Sequence, residues 1–323
     1  MKWALTLLVI LVVSSLSFCQ DVKVREEAVR LLEQANRVST SPKLPNLERV
    51  DTFRVFGGQP AMQEGSFTRV VVQGTGRRDE YSFGSYHLLN VWTEKQVAVA
   101  GTPAALAPPE ITNLMHIAPI LLVRFNGEDV IHEIIGRNVS GHRARCIEFD
   151  TIRGEKTDNN EICVDQSNGA LLLEKLGVEL IEYSEFFPFA GSLMPGKISY
   201  SYAGTQKMEV TQTMTVLDEA SENVLAAPAN AQMHQLCTTF RRPFGISMPQ
   251  PRAGNGGENT EVIVRSVVGV DGKIHDAVVQ SSERPELNAE AITQVQQWSF
   301  TPAMCNGKPD THEVELTVQF QGR

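Results

Sequence analysis

The sequence predicts an α+β protein in two parts: an N-terminal curved antiparallel sheet with helices on one face, then a small C-terminal ββαβ domain. Three observations predict it. Between Thr52 and Val216, short alternating or apolar runs broken by Gly, Asn or charge far outnumber helical stretches. Many strands with few helices favour one antiparallel sheet. Residues 219–232 then shift to small side chains, Ala226-Ala227-Pro228-Ala229-Asn230-Ala231 among them, which is a linker composition. Beyond it, two strand-like runs flank Asp271-Gly272, followed by an amphipathic stretch and a strictly alternating run. The expected organisation is a signal at 1–19, the sheet domain at 20–218, the linker at 219–232 and the small domain at 233–323.

The chain has 323 residues, 42% hydrophobic and 21% charged, enough to bury two ordinary cores and too apolar for a disordered chain. Its formal net charge of −9 repels nucleic acid and anionic lipid and argues against either as a partner.

The first element is a targeting segment. Lys2 gives a positive start, and Trp3 to Leu16 is an uncharged, mostly apolar run. It is shorter than the ~20 residues a helical span needs and suits a secretory signal. Cleavage after Cys19 puts Ser17 and Cys19 at the small-residue positions; the alternative is a lipoprotein anchored at Cys19. Either way the expected location is the periplasm.

A helix follows, because Val24, Ala28, Leu31, Leu32, Ala35 and Val38 recur at helical spacing with charges between them. Pro42 and Pro45 stop it. Strands are expected at Arg69–Val72, Glu80–Phe83, Leu88–Trp92 and Gln96–Ala100. A short helix is expected at Glu110–Ala118, ended by Pro119, with the run Ile120–Val123 ambiguous. Strands resume at Val130–Ile135, Ala170–Leu173, Ile198–Tyr202 and Met208–Leu217, the last two joined by a turn at Ala203-Gly204-Thr205.

Beyond the signal lie four cysteines, Cys146, Cys163, Cys237 and Cys305. An even number in an exported chain favours disulfides. Cys146 and Cys163 sit in two strand-like segments joined by a polar turn, so a hairpin would set their sulfurs side by side. Cys237 and Cys305 remain as the second pair.

In the C-terminal part, Val262–Val268 and Ile274–Gln280 are strands around Asp271-Gly272, a strong hairpin signal. Pro285 starts a helix with Leu287, Ala291, Val295 and Trp298 on one face. The chain ends in strict alternation: Val314, Leu316, Val318 and Phe320 face one way, Glu313, Glu315, Thr317 and Gln319 the other, as in a half-buried strand.

These residues resemble a known family. Val270-Asp271-Gly272-Lys273, Val278-Val279-Gln280-Ser281-Ser282, Leu287-Asn288-Ala289-Glu290-Ala291, Trp298-Ser299-Phe300-Thr301-Pro302-Ala303 and Asn306-Gly307-Lys308-Pro309 occur in the order seen in the TonB C-terminal domain. The resemblance implies a periplasmic domain that grips an extended peptide from an outer-membrane transporter by adding it as a strand at a sheet edge. The segment Glu313, Val314, Glu315, Leu316, Thr317, Val318 is the expected edge. The sequence departs from the family in having Met248-Pro249-Gln250-Pro251 where a Pro-Tyr-Pro-like segment is usual. It also has a folded domain in place of a membrane helix and proline-rich spacer.

The N-terminal part is similar to the LolA-like lipoprotein-carrier superfamily in its opening amphipathic helix, its run of strands, its Cys…Cys hairpin before Asp165-Gln166-Ser167-Asn168-Gly169-Ala170-Leu171-Leu172, and its late strand Lys207-Met208-Glu209-Val210. This implies a half-barrel with an apolar concave face that could hold a lipid or lipoprotein acyl chain, with Trp92, Met115 and Phe125 as candidate liners.

No catalytic or metal site is expected. His132-Glu133 opens like a zinc-protease motif, but the second His would fall at Gly136. Gly254-Asn255-Gly256-Gly257 has no following Gly-Lys-Ser/Thr, and Ser192 lacks a nucleophile-elbow frame. The expected protein works by binding, without cofactor, on an envelope protein or peptide, or alternatively on an acyl chain.

Overall fold

Helix α1 spans 22–39 because the apolar residues of that stretch recur every three or four positions: Ala28, Leu31, Leu32 and Ala35 are buried while the charges between them face out. The structure is a computed structural model that describes residues 22–41, 43–57, 62–101, 106–117, 124–153, 156–217, 222–251, 260–282 and 284–320. The expected signal with Cys19, the run Ile120–Val123 and the loop Gly254–Gly257 lie outside the described residues. No described helix is long and apolar enough to cross a membrane.

The strands in chain order are β1 (Leu47–Phe56), β2 (Met62–Val72), β3 (Gly76–Phe83), β4 (Tyr86–Trp92) and β5 (Gln96–Gly101). Helix α2 (Pro109–Ile117) precedes β6 (Asp129–Val139), β7 (His142–Arg153), β8 (Lys156–Asp165), β9 (Leu171–Leu176), β10 (Glu179–Ser184), β11 (Phe187–Phe189), β12 (Ser192–Met194), β13 (Lys197–Tyr202) and β14 (Thr205–Val216). Then come β15 (Gln232–Gln235), β16 (Phe240–Arg241), β17 (Phe244–Ser247), β18 (Thr260–Val268), β19 (Ile274–Ser282), α3 (Asn288–Val295), β20 (Ser299–Thr301), β21 (Ala303–Cys305), β22 (Lys308–Asp310) and β23 (His312–Phe320). The architecture is α+β with a large open sheet and a small C-terminal strand domain, as the sequence predicts. Strands β1, β10, β11, β12, β15, β16, β17, β20, β21 and β22 are additional to those expected.

Contacts divide the chain into two compact units, 1–74 with 115–221, and 75–114 with 222–323. These divisions differ from the composition-based boundaries. In the second unit β15 pairs with β5, and Leu225 and Ala231 pack on the cluster of Leu89, Val91 and Ala98. The small residues expected to form a linker are therefore partly packed against β4 and β5.

In the first unit, antiparallel strands run in the order β2-β1-β14-β13-β10-β9-β8-β7-β6. Hairpins dominate because turn residues with positive φ recur where they are needed: Ala203 and Gly204, at φ 48° and 74°, join β13 to β14. Helix α1 is tied to this sheet by Arg25, whose Nη1 donates to Asp129 O at 2.9 Å, and by Arg145, whose Nη2 meets Glu27 Oε1 at 2.6 Å. Cys146 stands opposite Cys163 in the β7–β8 register and is bonded to it.

In the second unit, β15-β5-β4-β3 form one antiparallel group and β19-β18-β23 another. Helix α3 covers one face of the latter. Its Ala291 and Val295 pack with Val262, Val264 and Val268 of β18, with Leu316, Val318 and Phe320 of β23, and with Trp298 and Phe300. The expected helical face ends at Val295, yet Trp298 beyond it stays in the core at 3% exposure. The turn before β19 needs Gly272. At φ 75° its carbonyl accepts from Phe300 N–H at 2.8 Å, and a Cβ there would meet Phe300 O at 2.1 Å. Cys237 is bonded to Cys305, joining the segment before β16 to β21.

Candidate peptide-binding edge

Strand β23 is built by alternation. Leu316, Val318 and Phe320 point into the α3 core, while Glu313, Glu315, Thr317 and Gln319 are exposed. The strand pairs with β18 alone among the described residues, in unbroken register from Thr260↔Phe320 to Val268↔His312. Gln319 N–H donates to Gln250 Oε1 at 3.0 Å, so it points away from β18. In an antiparallel ladder, groups directed outward alternate with those directed inward. The same parity makes Glu313, Glu315 and Thr317 present their N–H and C=O groups outward.

The margin is shaped by Met248-Pro249-Gln250-Pro251, met in the sequence only as a departure from the family, and by Arg265, to which sequence reasoning assigned no role. Met248-Pro249-Gln250-Pro251 wraps the end of the strand, held because Trp298 Nε1 and Gln294 Nε2 both donate to Pro249 O, at 2.9 and 2.5 Å. Gln250 thereby caps the last outward position, and among the described residues no other strand pairs with the preceding ones. Arg265, 4% exposed, donates from Nε to Glu313 Oε1 at 2.7 Å, and from Nη1 to Ala107 O at 3.0 Å and to Thr112 Oγ1. Glu313 is thus fixed to its neighbour strand diagonally, while Glu315, the register partner of Arg265, projects to solvent. A buried Arg in an apolar strand run was the available sequence signal; its partners come from distant segments.

The three expected apolar liners have separate surroundings. The Trp92 ring lies under the Arg77 guanidinium at 5.1 Å, Met115 is 40% exposed, and Phe125 packs edge-on against Phe149 at 5.2 Å. A cavity of about 480 Å³ in the first unit runs beside α1 and is lined largely by Glu27, Arg30, Glu33, Gln34, Arg37 and Arg145. Those walls carry charge of both signs. The groupings of Cys146 and Cys163 with Glu161, and of Cys237 and Cys305 with Asp310, resemble ligand sets. Their sulfurs are spent in disulfides.

A second group of titratable residues lies in the first unit. Glu174 on β9 is buried and accepts from Tyr183 Oη at 3.2 Å, and Glu179 on β10 accepts from Tyr200 Oη at 3.3 Å and meets His116 Nε2 at 3.4 Å. Burial raises the Glu174 carboxyl, against the opposing Tyr183 hydrogen bond and the His116 charge. Burial and the facing carboxylates raise both tyrosines.

The C-terminal part is thus a short antiparallel sheet backed by one helix, with an aromatic plug and with β19 and β23 as its outer strands. Residues 251–321 match the family model described as Gram-negative bacterial TonB protein C-terminal, in agreement with the resemblance read from the sequence. No curated protein matches the chain. Among solved structures, the chain is similar to a putative outer membrane lipoprotein-sorting protein domain from Vibrio parahaemolyticus (8% identity, TM-score 0.38, covering 61% of this chain and 95% of that one). It is also similar to the LolA superfamily protein NE2245 from Nitrosomonas europaea (13%, 0.35, 60% and 95%). A third is the MucA/MucB complex of Pseudomonas aeruginosa (11%, 0.29, 75% and 81%). The second carries the superfamily name suggested for the N-terminal part. Scores of this size decide neither fold nor function.

Proposed function

We propose that this is a non-catalytic binding protein of the bacterial envelope, whose C-terminal domain captures an extended peptide of an envelope partner by strand addition along β23. The observation that carries the proposal is the outward backbone of Glu313, Glu315 and Thr317, inferred from the direction of the Gln319 N–H. A guest strand would satisfy these groups, and its side chains would alternate over the exposed row of β23. The family match over 251–321 supports this reading. The two disulfides support an oxidising compartment. The alternative, carriage of a lipid or lipoprotein acyl chain in the N-terminal sheet, rests on resemblance; the separate surroundings of Trp92, Met115 and Phe125 do not favour it.

Amide exchange resolved by residue tests the proposal. In the free protein Leu316 and Val318 are expected to exchange at least about a hundredfold more slowly than Glu315 and Thr317. Adding periplasm-facing terminal peptides of outer-membrane transporters should slow Glu315 and Thr317 and leave the inward amides unchanged. Thr317→Pro removes an outward donor without touching the β18 ladder, so it should keep the fold and abolish that protection. Protection of Glu315 and Thr317 in the free protein would mean the margin is already occupied and would end the proposal.

A further inference from the structure

The segment from Phe240 to Met248 is unusual in two independent ways. First, it exposes large apolar side chains in close succession: Phe240 at 46%, Phe244 at 75%, Ile246 at 67% and Met248 at 46%. Phe244 and Ile246 flank Gly245 on β17, and the register with β20 shifts between Gly245 and Ser247, leaving Ile246 without a partner residue in the ladder. Single exposed apolar residues are ordinary, whereas a cluster marks a contact surface. Second, its charge is inverted relative to the chain. No Asp or Glu occurs between Glu222 and Glu258, while Arg241, Arg242 and Arg252 do. Arg241 and Arg242 are exposed and have no ion-pair partner among the described residues. Strands β20 and β21, which pair with this segment, carry no acid; β22, beyond β21, carries Lys308 and Asp310, the latter beside the Cys237–Cys305 bridge.

The segment is also held firmly. β16 pairs with β21 and β17 with β20. Cys237–Cys305 fastens the chain just before it, and the Trp298 and Gln294 hydrogen bonds to Pro249 O fasten it just after. The apolar residues are therefore presented from a ledge supported by β20 and β21.

We infer that this ledge docks on an anionic phospholipid surface, with Phe244 and Ile246 entering the boundary between headgroups and acyl chains and Arg241 and Arg242 meeting lipid phosphates. Charge complementarity selects this occupant. Aromatic and aliphatic residues beside arginines, without acids, are the composition of an interfacial anchor. The rest of an acidic chain would be repelled by the same surface, which confines contact to this ledge and fixes the orientation of its unit on the lipid.

Co-sedimentation of the full chain with vesicles tests the inference, using phosphatidylglycerol mixed with phosphatidylcholine against phosphatidylcholine alone. Binding is expected to the anionic vesicles only, and to weaken at about 0.5 M salt, where surface charges are screened. Arg241→Glu with Arg242→Glu should abolish it. Loss of one arginine is expected to lower partitioning about fivefold, and Arg241→Lys with Arg242→Lys should retain it. Phe244→Ser with Ile246→Ser should reduce partitioning at least about tenfold. These positions are exposed, so the variants should fold; an unchanged unfolding midpoint checks this. As a readout independent of deletions, Phe244→Trp should shift its emission to the blue when anionic vesicles are added. The inference is overturned by absence of binding or of the emission shift, or by binding indifferent to both double variants. It is also overturned by a vesicle-free, concentration-dependent dimer that Phe244→Ser with Ile246→Ser dissolves, which would assign the ledge to a second copy of the chain. None of these readouts depends on β23, so peptide capture stands or falls separately.

Discussion

Glu174 illustrates how one buried side chain sets a pH dependence. Its carboxyl is 8% exposed and accepts the Tyr183 hydroxyl, and burial raises its pKa. The folded state therefore holds the proton more tightly than the unfolded chain, whose Glu titrates near about 4.3. Stability falls as pH rises from that value through the raised folded one, and levels off above it. Glu174→Gln keeps an acceptor for Tyr183 and removes the slope. The variant is expected to unfold at a higher denaturant concentration than the parent at neutral pH, and at the same concentration in acid below the unfolded value. Parallel denaturation curves at the two pH values check this, and equal midpoints at neutral pH would contradict it. Asp165 has the opposite sign. Burial alone would raise it, but Ser167 and His142 hydrogen bonds outweigh that and hold the carboxyl low. Its contribution is present above the ordinary carboxylate range and lost as pH falls through the lowered value.

At the scale of the element, Trp298 joins the core to the outer margin of β23. Its ring fills the space between α3 and the sheet, and its indole N–H holds Pro249, which positions Gln250 on the end of β23. Trp298→Ala should cost about 3–5 kcal/mol by cavity formation, read as a lower denaturation midpoint of the second unit. Trp298→Phe keeps most of the volume but loses the donor. It should therefore cost less, yet free the Pro249–Gln250 strap, seen as faster exchange of the Gln319 amide. Strict alternation made β23 legible in the sequence, and Asp271-Gly272 made the β18–β19 hairpin legible. Strands β16, β17 and β20 to β22 were not. They are two to four residues long, too short to show a period, and exist only because partners from elsewhere in the chain meet them.

At the scale of the whole molecule, two disulfides close loops of different length. Cys146–Cys163 spans a sequence separation of 17 and Cys237–Cys305 one of 68. Loop-closure entropy assigns them about 3 and about 4 kcal/mol. Reduction is therefore expected to lower the unfolding midpoint in two separable increments, the larger one assigned to the C-terminal bridge by the Cys237→Ala with Cys305→Ala variant. A variant as stable as the reduced parent at that bridge and the oxidised parent elsewhere is the expected result. The same scale explains why the contact-based units differ from the composition-based boundaries. Residues 226–231 have the small, Pro-containing character of a linker, but Leu225 and Ala231 find an apolar surface on Leu89, Val91 and Ala98, and β15 completes the edge beside β5.

By itself the sequence determined what depends on neighbours along the chain: the amphipathic α1 and α3, the hairpin turns, the alternation of β23 and the composition that favours disulfides. Their periods of 3.6 and 2 are local geometry written in side-chain polarity. Only the tertiary structure decided which backbone groups of β23 face outward, that Gln250 caps one end of it, that Arg265 ties Glu313 to Ala107 and Thr112, and that Phe244 and Ile246 remain uncovered. Each of these depends on contacts between segments far apart in sequence, and side-chain pattern carries no record of which distant segment will arrive.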